Sequence, residues 1–179
     1  MKLTEQEKAA RARAKLLDKA REFTTGTYSR KFVAPLFQRM IRAEFAADPR
    51  PFVTAVVDGT IRQVARRIGQ CACVTCGLVQ AWDSGIKGMH TGHFIGSRCF
   101  SILYEEANVA PQCSRCNYYA SGNPQPFRLW MEMVRPGEIE RLQRLRGQSR
   151  SFSREELVGM RIGFQKRLNE AIQRMKGSE

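Results

Sequence analysis

The chain has two histidines, His90 and His93, set three residues apart in Met89-His90-Thr91-Gly92-His93-Phe94-Ile95. Downstream come Asn108, in Asn108-Val109-Ala110-Pro111-Gln112, and Asn117, directly after a cysteine. These residue types fit phosphodiester hydrolysis, which needs a water deprotonated near neutral pH and a cation to neutralise charge building on the phosphate. Histidine titrates in that range, so His93 is assigned as general base. The side-chain oxygen of Asn117 suits a hard ion such as Mg²⁺, whereas the nitrogen of His90 suits Mn²⁺ better. Both are assigned as ligands of one catalytic divalent ion. Asn108 is expected to bridge a hairpin and orient the backbone of His93. Two alternatives stay open: His90 as a DNA contact and Asn108 as an ordinary turn residue. Lys87, Arg98 and Arg115 are the nearby cations that could hold a scissile phosphate, with Arg98 favoured by its place in the hairpin loop.

Two CxxC knuckles bracket this stretch: Cys73-Val74-Thr75-Cys76 and Cys113-Ser114-Arg115-Cys116. Each presents two thiolates to one ion, and zinc prefers four tetrahedral ligands. Cys73, Cys76, Cys113 and Cys116 are therefore expected to bind one structural Zn²⁺, with no open position for catalysis. Cys71 competes with Cys73, a mixed site with three cysteines and one histidine is a weaker alternative, and Cys99 reads as a core thiol.

These residues must be positioned by their neighbours. Cys71 to about Pro124 is rich in Gly, Cys and Asn, with only short apolar runs, so bound metal must supply part of its stability. Residues 31–70 read as helical: Leu36, Phe37, Met40, Ile41 and Phe45 follow helical spacing, as mostly do Phe52, Val56, Val57, Ile61, Val64 and Ile68. Gly59 weakens the second helix, and Val53–Val57 could begin as a strand. Thr4 and Glu7 form a capping box ahead of a basic helix reaching about Phe23, and Thr24–Arg30 reads as a linker. After the cysteine-rich stretch, Phe127–Val134 is helical, and Pro136 opens a helix stopped by Gly147. Ser153 and Glu156 then cap a long helix to about Met175, with a stripe of Leu157, Met160, Phe164, Leu168, Ala171 and Met175 that packs on the chain itself or forms a dimer seam. The expected fold is α+β and mainly helical. It divides into residues 1–30 (basic helix and linker), 31–70 (helical), 71–124 (zinc-stapled core) and 125–179 (C-terminal helices).

Charge separates the same regions. The net charge of +13 splits into +8 over residues 1–70, zero over 71–134 and +5 over 135–179. Basic arms around a neutral chemical centre fit a polyanionic partner such as DNA. No stretch is apolar enough to span a membrane, and Met1–Glu7 lacks the apolar run of a secretory signal. The expected location is the cytoplasm, where six cysteines stay reduced.

The order of histidine strand, loop, asparagine strand and helix-borne ligand is similar to that of HNH (ββα-metal) nucleases. With both knuckles, Gly92-His93, Gln112-Cys113, Cys116-Asn117 and Ser121-Gly122-Asn123, the stretch from Cys73 onward resembles the phage lambda NinG (Rap) family of recombination endonucleases. The resemblance implies an HNH endonuclease acting on branched DNA such as Holliday junctions, encoded by a phage or prophage. Junction cutting implies a homodimer, because two opposed incisions are needed. An HNH nicking or packaging nuclease without branch preference, and a non-catalytic four-cysteine DNA-binding protein, are the alternatives. HNH sites commonly carry an acidic residue or a histidine just before the base, a position held here by Gly92.

Overall fold

The structure, a computed structural model, describes residues 3–85, 88–96 and 99–177. Thr4 and Glu7 exchange hydrogen bonds at the start of α1 (Glu5–Arg21), closing the expected capping box. The stretch read as a linker is helical instead. Thr24 caps α2 (Thr25–Tyr28), which passes through a π-turn (Ser29–Val33) into α3 (Ala34–Ala47). Tyr28 and Ser29 are fully buried there, and the Ser29 hydroxyl lies 2.6 Å from the Tyr104 hydroxyl. Buried aromatic and polar contacts of this kind override the Thr/Gly/Ser composition that suggested a loop.

The largest correction falls on residues 51–68, which form no helix. They fold as an antiparallel hairpin of β1 (Phe52–Val57) and β2 (Thr60–Ala65), turned by Asp58 and Gly59. Both turn residues have positive φ, 50° and 75°. That is the geometry an Asp-Gly pair favours in a two-residue hairpin. The β-branched content of Val53, Val56, Val57, Ile61 and Val64 agrees with it.

A second hairpin, β3 (Gln70–Ala72) with β4 (Val79–Ala81), carries the first CxxC knuckle in its loop. The third pairs β5 (Met89–His93) with β6 (Val109–Cys113), in the register His93 opposite Val109 and His90 opposite Gln112. Between them lie α4 (Phe100–Leu103) and a 3₁₀ turn (Glu106–Asn108). After β6 the second knuckle leads into a π-turn (Arg115–Tyr119), then α5 (Pro124–Val134), α6 (Glu138–Arg146) and α7 (Arg154–Lys176). Ser153 and Glu156 close the second capping box.

The buried residues form three clusters, the largest of which spans α3, α7 and the cysteine-bearing hairpins. Phe37, Met40 and Ala43 of α3 cluster with Leu168, Ala171 and Met175 of α7, and with Cys71, Cys73, Met89, Cys113 and Cys116. Arg167 locks the assembly by pairing with both Glu44 on α3 and Glu106 on the 3₁₀ turn. The stripe of α7 is thus used up within the chain, its six residues lying in the same clusters as α1 and α3. Among the described residues no helix is long and apolar enough to cross a membrane. The observed class is α+β, with three small two-stranded sheets among seven α-helices in the described residues.

Candidate metal centre and active site

The sulfurs of Cys73, Cys76, Cys113 and Cys116 all lie within 4.8 Å of one another. Four thiolates at about 2.3 Å from a tetrahedral ion would sit about 3.8 Å apart. The Cys76 and Cys113 sulfurs are 3.7 Å apart, so the quartet can hold an ion such as zinc. Cys73 belongs to it, and Cys71 does not: the Cys71 thiol donates to the Arg42 carbonyl, and burial pushes its pKa up to about 12. Cys99 lies outside it as well.

Backbone and side-chain donors point at the sulfurs. The amide of Cys116 donates to the Cys113 sulfur, and Asn123 Nδ2 donates to the Cys116 sulfur and to the Thr75 carbonyl. Neighbouring donors, with Cys76 first and then Thr75, draw the Cys73 thiol down to about 5, while the same crowding pushes Cys76 up. Four sulfurs this close cannot all lose their protons unless a cation takes their place.

Beside this centre is a cavity of about 330 Å³. Gln38 and Arg42 of α3, His90, Thr91 and His93 of β5, and Asn117 and Tyr118 of the π-turn line it. Residues three apart on a strand point to opposite sides. Both histidines nevertheless line this one cavity. Burial depresses the pKa of His93 to about 4, so its ring is neutral at pH 7. Its Nε2 is buried and has no hydrogen-bond partner among the described residues. Such a nitrogen is free to accept a proton or a ligand. The His90 ring meets Tyr118 edge-on at 5.8 Å between centroids.

The structure brings His90, His93 and Asn117 together and separates other candidates. Asn108 is fully buried, but its amide does not face the cavity. Its Oδ1 accepts from the Ile95 amide at 2.8 Å and its Nδ2 donates to the Ile95 carbonyl at 3.0 Å. Asn108 therefore pins the segment leaving β5, a positioning role two residues beyond His93. Arg115 is exposed and lines a different depression, with Val57, Cys76, Gly77 and Leu78. Lys87 and Arg98 lie outside the described residues.

Among the described residues, the cation that lines the cavity is Arg42, which the sequence reading missed. Its guanidinium donates to the Thr91 hydroxyl (3.2 Å) and to the carbonyls of Trp82 and Gln38 (3.3 Å each). Burial lowers its pKa, yet a guanidinium stays protonated at any physiological pH. Arg42 sits on a helix nearly fifty residues before His90, so no local spacing could have revealed it.

Gly92 has a steric explanation. A Cβ there would lie 2.0 Å from Oε1 of Gln112, a fully buried side chain. Gln112 cannot swing aside cheaply, because its Nε2 donates to Thr75 Oγ1 (3.1 Å) and the Gly122 carbonyl (2.7 Å). Any side chain at position 92 is excluded, including the acidic residue or histidine common before an HNH base. Gly92→Ala is expected to lower unfolding stability by about 3 kcal/mol, through overpacking plus a lost hydrogen bond. Chemical denaturation checks this; an unchanged midpoint would contradict the packing described.

Fold and site together define an α+β protein with a four-cysteine cluster able to hold a metal ion, beside a polar cavity lined by both histidines. The chain belongs to the bacteriophage lambda NinG protein family, whose family model it matches over residues 41–173. No curated protein and no solved structure matches the chain.

Proposed function

We propose that this protein is a metal-dependent DNA endonuclease of the HNH type, acting on branched DNA in phage recombination. The observation that carries the reading is the convergence of His90, His93 and Asn117 on one cavity, with His93 neutral and its Nε2 unpartnered among the described residues. The cysteine quartet would hold a structural Zn²⁺ and pin β5, β6 and the π-turn to each other. His90 and Asn117 would hold a Mg²⁺ or Mn²⁺ ion, which supplies the positive charge that phosphodiester cleavage requires. The residues present fit such an ion: an amide oxygen and an imidazole nitrogen leave room for the waters that Mg²⁺ keeps.

Within that arrangement His93 takes a proton from the attacking water, and burial keeps it in the neutral form this needs. Arg42 faces the same cavity and offers a fixed cationic fork to the phosphate oxygens. Arg42→Ala is expected to cut kcat/KM for DNA cleavage by about 10- to 100-fold, the worth of a hydrogen bond to a charged group. Bound zinc should be unchanged, as elemental analysis of the purified variant would check.

Family membership supports the recombination role, and the basic arms support DNA as the polyanion. Two opposed incisions at a junction require two such cavities, hence a homodimer. The test compares cleavage of a four-way junction, a flap and a linear duplex of equal length, with Mg²⁺ or Mn²⁺ and with EDTA. Ion-dependent cutting of junction and flap alone is expected. Equal cutting of the linear duplex would leave the HNH chemistry and remove branch selectivity. Binding without any cutting would favour a four-cysteine DNA-binding protein.

A further inference from the structure

Two aromatic side chains stand out against the packing of the rest. Tyr118 is 71% exposed and Tyr119 is 87% exposed, whereas most described aromatic residues are buried or packed ring against ring. Both follow Asn117 on the π-turn, and Tyr118 also lines the cavity with His90 and His93.

The backbone of the turn that carries them is tied at several points. Cys116 anchors it to the metal centre, the Ala120 amide donates to the Arg115 carbonyl, and the Gly122 amide donates to the Cys116 carbonyl, both at 2.9 Å. Tyrosine has few side-chain torsions, so on a fixed backbone it loses little freedom when something stacks on it. The local charge selects the partner. No Asp or Glu occurs between Glu106 and Glu132, while Arg115 is exposed on the same turn and Arg42 faces the cavity.

We propose that Tyr118 and Tyr119 form a stacking platform for unpaired nucleobases of DNA beside the cavity. Aromatic faces flanked by cations bind single-stranded nucleic acid by base stacking along a neutralised backbone. Within a continuous duplex the base faces are already covered, so the platform serves only strands that are open at a branch, flap or gap. The inference rests on the reading of DNA as the ligand, and it supplies that reading with a source of branch selectivity.

The test measures binding by the full-length, zinc-replete protein in EDTA-free, Mg²⁺-free buffer, where no cleavage occurs. The probes are a 30-nucleotide single strand, a four-way junction and a continuous duplex. Tyr119→Ala is expected to weaken single strand and junction by about tenfold or more, with the duplex changed by less than about twofold. Tyr119→Trp, which keeps a stacking face, should bind all three as the wild type does. Equal weakening on all three probes, no weakening on any, or a Tyr119→Trp variant that behaves like Tyr119→Ala would overturn the platform. A protein that never cuts DNA but shows the tyrosine-dependent preference retains the platform and loses the nuclease. One that cuts junctions while Tyr119→Ala binds normally does the reverse.

Discussion

Cys116→Ser is expected to release the structural metal and with it the folded centre of the protein. Cys116 is buried in the main core, and its sulfur receives the Asn123 amide. A four-thiolate zinc site contributes about 10–16 kcal/mol of apparent binding energy in small zinc peptides. Whole domains are stable by only about 5–15 kcal/mol, so losing one thiolate of four consumes most of the margin. The two hairpins that carry or adjoin the cysteines are each only two-stranded, and the quartet joins them. Purified Cys116→Ser should hold less than about a tenth of the wild-type zinc and lose its near-ultraviolet circular dichroism. Cys71→Ala is the control, because that sulfur lies outside the quartet. It should keep the metal and lose about 1–3 kcal/mol for a small core truncation. Full zinc occupancy in Cys116→Ser would contradict the quartet.

His93→Ala is expected to bind DNA as the wild type does and to cleave it about 10²- to 10⁴-fold more slowly, the usual worth of a positioned general base. The His93 ring is partly accessible, and its Nε2 makes no bond among the described residues that its removal would break. The pH profile carries a second signature. Burial depresses the folded pKa to about 4, so the neutral, proton-accepting form persists well below the ordinary histidine value near 6.5. Cleavage that depends on His93 should therefore survive to about pH 5 and fall as the pH drops towards 4. Stability follows the same sign. Between about pH 6.5 and pH 4 the unfolded chain takes up a proton that the folded chain refuses, so acid destabilises the fold across that window. His93→Gln should remove this part of the acid sensitivity in urea titrations at pH 7 and pH 5. A variant that cuts DNA at the wild-type rate would remove His93 from the chemistry.

The clustering of the four cysteines was legible because ligand spacing is a local property: a CxxC turn presents two sulfurs wherever it sits. The pairing of His90 and His93 with Asn117 was legible for a related reason, since the second knuckle fixes Asn117 next to the hairpin that carries the histidines. The helices at α1, α3 and α7 were readable from Thr4, Ser153 and the apolar stripes. Residues 52–65 were misread because Val56, Val57, Ile61 and Val64 satisfy three- and four-residue steps while also suiting a strand. The deciding signal was the Asp58-Gly59 turn, whose two positive φ values no helix interior accepts. Arg42 and Gln112 were illegible for a different reason. Their roles depend on contacts with Thr91, Thr75 and Gly92, which tertiary folding alone brings near. Tyr28 and Ser29 show the same limit, since a Thr/Gly/Ser-rich segment gives no local sign that it will be buried under Tyr104 and Arg161.

The separate duties proposed for the two histidines admit a direct spectroscopic test. Mn²⁺ added to the zinc-replete protein should bind at one site per chain, and pulsed electron paramagnetic resonance should detect an imidazole nitrogen coupled to it. That coupling should vanish in His90→Ala and persist in His93→Ala, and Asn117→Ala should weaken Mn²⁺ binding at least about tenfold, as removal of a direct ligand does. A bound Mn²⁺ without nitrogen coupling, or one indifferent to both His90→Ala and Asn117→Ala, would contradict a catalytic ion in this cavity.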